Sequence, residues 1–410
     1  MTDRIGPAAL NAAATGFPAG EAYALQRDYD PAKTALAEDQ TLYMYLNMAQ
    51  FFPHQVVARD GAVRALPVVE SEMGERVGAL EVASPLGRLS LEQMLADPRS
   101  RVQSYLVLHR GRVVYERYPG MRPTDNHVWW SSAKVLAGTL AAQLVVDGLL
   151  DPERPVEHYL PAFAASAWKG TSVRDIADHC SGVNAEELDV TSYVSPDSEL
   201  SRLIASERIT LAAGAAAPSH DDALLSMSRK RPPGERYEYS SANTNVLALL
   251  IERAVGRRFA DVLGERIWSR MGAEGDGLIG LSPQGNPIAH GMFSSRLRDM
   301  ARFGLLLTPS GRDQRPLLSD QVLHMIQHGG RRALYPGNAK LDNFTTWLGD
   351  APIACSWQWD AVFDDGDLWK GGFHGQSLYV SPGRDVVIAL FSTSNERAPF
   401  FYTRPVAKLF

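Results

Sequence analysis

Apolar positions fall into β-rich runs near the two ends of the chain and recur at helical spacing between them. Ser104-Tyr105-Leu106-Val107-Leu108-His109-Arg110 and Val113-Val114-Tyr115-Glu116 flank Gly111-Arg112, which predicts a hairpin. A second hairpin is predicted from Ser377-Leu378-Tyr379-Val380 and Val386-Val387-Ile388-Ala389-Leu390, joined by the turn-forming Ser381-Pro382-Gly383-Arg384-Asp385. Between them, Leu136, Leu140, Leu144, Val145 and Leu149 space a helix from Ser131 to Leu150, closed by Asp151-Pro152. Val246, Leu247, Leu250 and Ile251 space another over 241–255, ending at Gly256, and a third runs from Ser295 to Leu307.

Strands at both ends with helices between predict an α+β fold: an antiparallel sheet assembled from distant segments, flanked by helices, with an inserted, mostly helical region. The expected division is an α/β domain from 81–160 and 281–410, and a helical domain over 161–280. Residues 1–80 are rich in Ala, Gly and Pro and only weakly periodic, and are read as an extended arm over the body. No internal repeat is present, and the one low-complexity tract is Ala212 to Ala217.

Composition narrows the class of function. The 410 residues are 45% hydrophobic and 21% charged, ordinary for a globular protein. A net charge of −6 argues against a general nucleic-acid binder. The local run Arg229-Lys230-Arg231 before Pro232-Pro233 reads as a solvated loop. Cys180 and Cys355 make no disulfide framework and sit in no Cys/His cluster, so no metal site is expected. The start, Met1-Thr2-Asp3-Arg4, lacks a basic segment followed by an apolar run, and no apolar stretch approaches the ~18–20 residues of a membrane span. The expectation is a cytoplasmic, reduced, soluble protein with no membrane or nucleic-acid partner; a homodimer is left open.

Candidate chemistry centres on Trp129-Trp130-Ser131-Ser132-Ala133-Lys134 at the start of the first helix. A serine and a lysine three apart share one helix face, so hydroxyl and amine meet there. The helix N-terminus favours developing negative charge. A weak alcohol nucleophile needs an adjacent base, and a desolvated lysine supplies one. Ser166-Ala167-Trp168-Lys169 has the identical spacing, but its lysine runs into Gly170 rather than into a helix. Spacing alone therefore more often marks an N-cap serine beside an exposed lysine.

Two further elements bear on this. Tyr239 follows the Pro233-Gly234 turn and immediately precedes the 241–255 helix, a placement that projects its phenol into a cleft for proton transfer. The bland alternative is a core tyrosine bonded to backbone. Trp369-Lys370-Gly371-Gly372-Phe373-His374-Gly375-Gln376 leads into the second hairpin, where glycines let backbone approach a ligand. Backbone N–H groups of Gln376 and of Ser131 are the expected halves of an oxyanion hole.

Together, residues 129–150, 239–252 and 372–382 resemble the three signature regions of the serine β-lactamase-like hydrolases, which share a β-lactamase-like fold. The wording of Tyr239-Ser240-Ser241-Ala242-Asn243-Thr244-Asn245 and His374-Gly375-Gln376-Ser377-Leu378-Tyr379 is most similar to the nylon-oligomer (6-aminohexanoate-dimer) hydrolases. The likeness spans roughly residues 100–395. It implies Ser131 as acylated nucleophile, Lys134 as its base and Tyr239 as partner in proton transfer, with no cofactor and a small-molecule ester or amide as substrate. It also implies that Tyr193 contacts substrate, against the alternative of a surface loop residue.

The chain departs from β-lactamases in two places. Ser241 stands where they carry Asn, and Phe373, followed by His374-Gly375, stands where they carry a carboxylate-binding lysine. Trp129, Trp130, Tyr193, Trp357, Trp359 and Phe373 suggest a cleft for apolar or linear acyl groups, with Trp130, Tyr193, Ser241, Phe373, His374 and Gly375 as substrate contacts. The expected function is an esterase or linear amidase. The alternatives are a β-lactamase or D-amino-acid peptidase, which needs a cation near Phe373; an acyltransferase; and an inactive binding or sensor domain, which would have lost Ser, Lys or Tyr.

Overall fold

Each of the two predicted hairpins forms, and the two pair with each other. A computed structural model describes residues 7–36, 39–211, 216–312 and 316–410; residues 212–215 of the alanine-rich tract lie outside the described residues, as do Met1 to Gly6. In chain order the strands are β1 (His54–Val57), β2 (Glu81–Ser84), β3 (Gly87–Ser90), β4 (Val102–His109), β5 (Arg112–Arg117), β6 (His127–Val128), β7 (Gly277–Gly280), β8 (Phe293–Ser295), β9 (Ala354–Ser356), β10 (Trp359–Val362), β11 (Leu368–Gly371), β12 (Ser377–Ser381) and β13 (Val386–Ser392). The main sheet runs β5-β4-β13-β12-β11-β10-β9, antiparallel throughout. At the β4–β5 turn Arg110 and Gly111 both take positive φ, 51° and 70°, the backbone that a two-residue hairpin turn demands.

Alternation explains why this sheet is buried on both faces. Leu106, Leu108, Leu378, Val387 and Ala389 point into one core; Tyr105, Val107, Tyr379, Ile388 and Leu390 point into another. Because side chains alternate with period two, strands apolar on both sets of positions need helices on both sides. The helix Leu297–Leu305 covers the first face, and the C-terminal helix Thr403–Ala407 covers the second.

The helix after Ser131 lies inside the first core over most of its length: every residue from Lys134 to Leu144 is buried. It packs against the 15-residue helix Ser241–Val255, which Gly256 ends with φ 71°. Gly138 is required where the helix meets the turn between β9 and β10, since a Cβ there would lie 1.9 Å from the Trp357 carbonyl oxygen.

Two differences from the expected organisation stand out. The segment read as an extended arm contains the helices Pro7–Thr15, Ala19–Arg27 and Asp39–Leu46, in keeping with alanine's helix propensity. It also supplies β1, which pairs with β7 in a second sheet of order β1-β7-β8-β6. That sheet crosses the boundary drawn at residue 280, because its strands are only two to four residues long, too brief to show a period. Among the described residues no helix is long and apolar enough to cross a membrane.

Candidate active site

Ser131 stands on a short 3₁₀ turn, Trp130–Ala133, that feeds the α-helix Lys134–Val146. With three residues per turn, positions i and i+3 eclipse, and the Lys134 Nζ lies 3.1 Å from the Ser131 Oγ. Trp130, just before the nucleophile candidate, takes φ 46°, a conformation costly for a bulky residue. Its ring is held edge-on by Tyr45 at 5.5 Å and Phe373 at 5.8 Å.

Lys134 is fully buried, and its remaining neighbours are polar. The amine donates to the His290 carbonyl at 2.9 Å and to the Ser241 Oγ at 3.0 Å. Burial pushes its pKa down to about 7, against an upward pull from the Glu187 carboxylate. Glu187 is itself buried and accepts from the Ser241 N–H and the Tyr193 hydroxyl. Burial works to raise its pKa, yet the Lys134 charge and those hydrogen bonds outweigh it, and the carboxyl is held below its ordinary value.

Tyr239 and Ser131 line the same cavity. Burial, and after it the charges of Asp360 and Glu187, raise the phenol's pKa well above the ordinary value, while an interaction with the Ser131 side chain works to lower it. The amine of Lys134 lies 5.1 Å from the centre of its ring and that of Lys370 lies 4.6 Å from it. Lys370 is locked by Asp360 at 2.5 Å, a buried ion pair whose amine lies over the Tyr239 ring.

Two cavities meet at Ser131, of about 30 and 70 Å³. The first is lined by Trp130, Ser241, Ile204, Ile209 and Thr210, with Thr34 from the N-terminal segment. The second is lined by Tyr239, Asp360, Lys340, Arg397 and the rings of Phe344 and Trp347. Tyr193 and Phe373 stand at the junction and line both.

Of the residues singled out in the sequence, Ser131, Lys134, Tyr239, Tyr193, Ser241, Trp130 and Phe373 therefore come together. His374 and Gly375 do not line either cavity. His374 is buried with its Nδ1 2.7 Å from the Tyr45 hydroxyl, and its φ of 64° turns it behind the site. The Gln376 side chain likewise points away, donating to the Ser392 carbonyl at 2.6 Å. Trp129, Trp357 and Trp359 are fully buried packing residues and form no cleft wall, correcting the aromatic-cleft expectation for these three. Ser166 accepts from the Trp168 N–H and donates to the Phe163 carbonyl, while Lys169 is exposed.

Sequence reasoning missed Glu187, Asp360, Lys370, Lys340 and Arg397. Lys370 had been read only as part of a glycine-rich strand entry. For the others no local motif exists, since each reaches the site from a different loop or strand.

A family model described as Beta-lactamase matches residues 91–409. A 6-aminohexanoate-dimer hydrolase of Paenarthrobacter ureafaciens is 29% identical over 358 residues, covering 86% of this chain and 85% of that one. Among solved structures, a Bacillus anthracis protein provisionally named a 6-aminohexanoate-dimer hydrolase superposes with a TM-score of 0.75 at 23% identity, covering 90% of this chain and 94% of its own. EstCE1, a hydrolase with promiscuous acyltransferase activity, superposes with a TM-score of 0.58 at 15% identity over 77% of this chain and 98% of its own.

Proposed function

This chain belongs to the beta-lactamase family of serine hydrolases, and we propose that it cleaves esters and linear amides through an acyl-enzyme on Ser131. The observation that carries the reading is the fully buried Lys134 amine, 3.1 Å from the Ser131 hydroxyl, with its pKa pushed down to about 7. A neutral amine has two N–H groups and one lone pair. With the N–H groups directed to the His290 carbonyl and the Ser241 Oγ, the lone pair faces Ser131.

The serine oxygen attacks the substrate carbonyl carbon, and its proton passes to Lys134. The carbonyl oxygen gains the electron pair and is met by backbone N–H groups of Ser131 and Gln376. Tyr239 keeps its proton at neutral pH, because burial and two nearby carboxylates disfavour the phenolate. It therefore serves as a relay: as the tetrahedral intermediate collapses, the C–N or C–O bond breaks, the leaving group takes the phenol proton, and Lys134 restores it. Water, or an acceptor alcohol or amine, then enters by the reverse sequence and frees Ser131.

Two cavities that share Ser131 but are otherwise lined by different residues suit a linear chain, one part in each, better than a fused bicycle. The apolar cavity beside Ile204 and Ile209 takes the acyl chain; the cavity that Tyr239 lines takes the leaving group. The 6-aminohexanoate-dimer hydrolases named above are relatives consistent with a linear amide. Cleavage of β-lactams is the second reading, favoured by Lys340 and Arg397 in the cavity that Phe373 lines. The test is kcat/KM on one enzyme batch for p-nitrophenyl butyrate, a 6-aminohexanoate dimer and nitrocefin at pH 8. The ester or the linear amide leads if the proposal holds; nitrocefin ahead of both overturns it in favour of the second reading.

A further inference from the structure

One side chain from the N-terminal segment touches both backbone stretches that carry the proposed oxyanion hole. Tyr45 is fully buried on the helix Asp39–Leu46. Its hydroxyl lies 2.7 Å from the His374 Nδ1, and its ring stacks on that imidazole at 5.9 Å with the planes 25° apart. The same ring meets Trp130 edge-on at 5.5 Å and His127 of β6 edge-on at 5.5 Å. Burial raises the Tyr45 pKa well above its ordinary value, so the phenol keeps its proton at neutral and mildly alkaline pH. The family match begins at residue 91, and Tyr45 belongs to the part of the chain that precedes it.

Both stretches adopt conformations that need support. Trp130, with φ 46°, leads the chain into Ser131. His374 and Gly375, with φ 64° and 100°, are consecutive left-handed residues directly before Gln376. Left-handed backbone at a residue with a side chain persists only where its surroundings hold it, and a change of φ there re-aims the N–H groups that follow. The stretches also lie against each other. The Ser132 Oγ donates to the Lys370 carbonyl at 3.4 Å, and a Cβ on Gly372 would stand 2.7 Å from the Trp129 carbonyl oxygen. Two side chains bridge them: Phe373, edge-on to Trp130 at 5.8 Å and lining both cavities, and Tyr45, which lines neither.

We infer that Tyr45 is a positioning residue for the oxyanion hole, keeping the Ser131 and Gln376 N–H groups convergent through its bond to His374 and its packing on Trp130. The inference rests on the acyl-enzyme reading above, in which those two groups meet the charge that develops on the carbonyl oxygen. Fixed donors are effective because they need not reorient as that charge appears. Loosening them weakens the hole while Ser131, Lys134 and Tyr239 stay as they are.

The test exchanges the atom that the hole receives. p-Nitrophenyl butyrate is compared with its thiono counterpart, in which the attacked C=O is C=S, by release of p-nitrophenolate at pH 8. Sulfur accepts hydrogen bonds weakly, so the ratio of kcat/KM, oxygen over sulfur, reads the hole rather than the activation of the serine. Folded fraction cancels in that ratio. The wild type is expected to favour oxygen by about 10²-fold or more, the worth of one oxyanion donor. Tyr45→Phe, which keeps the ring and loses the hydroxyl, is expected to lower the ratio about threefold or more, through kcat rather than KM. Tyr45→Ala lowers it further. A role confined to folding slows both esters alike, so a wild-type ratio in Tyr45→Phe overturns the inference whether or not Tyr45→Ala folds. A wild-type enzyme that turns over the oxygen ester yet does not discriminate against sulfur removes the oxyanion hole and the inference together. Fluorophosphonate labelling of Ser131 in that case leaves the hydrolase reading standing. Absence of turnover on both esters, with no labelling of Ser131, removes both readings.

Discussion

The chain contains the same four-residue spacing twice, and only one copy becomes a catalytic candidate. Ser131 and Lys134 sit on a 3₁₀ turn opening into a largely buried helix, and the lysine itself is fully buried. Ser166 and Lys169 lie on a turn at the surface, where the serine satisfies local backbone groups and the lysine is solvated. The difference teaches that spacing provides proximity, while desolvation and the identity of the neighbours provide reactivity. A lysine becomes a base near neutral pH only when burial destabilises its charge.

The contrast breaks most directly on the serines. Ser131→Ala is expected to lower kcat/KM for p-nitrophenyl butyrate by on the order of 10³-fold or more, since the covalent route is lost. Ser166→Ala should leave it within about twofold. A large loss in the second variant would place the nucleophile elsewhere.

The lysines give the next largest effect. Lys134→Ala and Tyr239→Phe should each cost about 10²–10⁴-fold in kcat. Because they hand on the same proton, the double variant should be little worse than the worse single one. Lys169→Ala should be silent. Additive losses would mean that Lys134 and Tyr239 serve separate steps.

Glu187 sharpens the comparison, because among the described residues no buried carboxylate pairs with the exposed Lys169. In the wild type kcat/KM should fall as pH drops through about 7, where Lys134 gains its proton. Glu187→Gln removes a charge that holds the Lys134 pKa up, so the acid limb should move to lower pH. A limb that stays in place, or moves upward, would separate Glu187 from the amine.

The smallest effect is on stability. The Lys134 pKa is depressed in the fold, from 10.5 to about 7, so the unfolded chain binds the extra proton between those values. Its destabilising contribution is full below pH 7 and is relieved as pH rises toward 10.5. The urea midpoint of the wild type should therefore gain on that of Lys134→Met between pH 6.5 and pH 9. Equal shifts in the two proteins would show that Lys134 titrates normally.

What the sequence disclosed follows the same physics. The hairpins, the buried helices and the Ser131, Lys134 and Tyr239 trio were legible because each is carried by a local period, a turn or a fixed spacing. Glu187 was not, because its role depends on a loop folding back so that its carboxylate meets Ser241 and Tyr193. Asp360 and Arg397 approach Tyr239 only through the register of the main sheet and its C-terminal exit, which no short window encodes. His374 stood in a motif and read as a substrate contact, yet its left-handed backbone turns it to Tyr45. The N-terminal segment was too irregular to place, although Thr34 lines the acyl cavity and Tyr45 braces Trp130.

The most direct test of the account is the site of covalent labelling. The protein is incubated near pH 8 with a fluorophosphonate, digested, and the adduct located by peptide mass mapping. The adduct is predicted on Ser131 in the wild type, to form markedly more slowly in Lys134→Ala, and to be absent in Ser131→Ala. An adduct on Ser166 or Ser132, or labelling of Ser131 at an undiminished rate without Lys134, would contradict the claim that a buried lysine makes this serine the nucleophile.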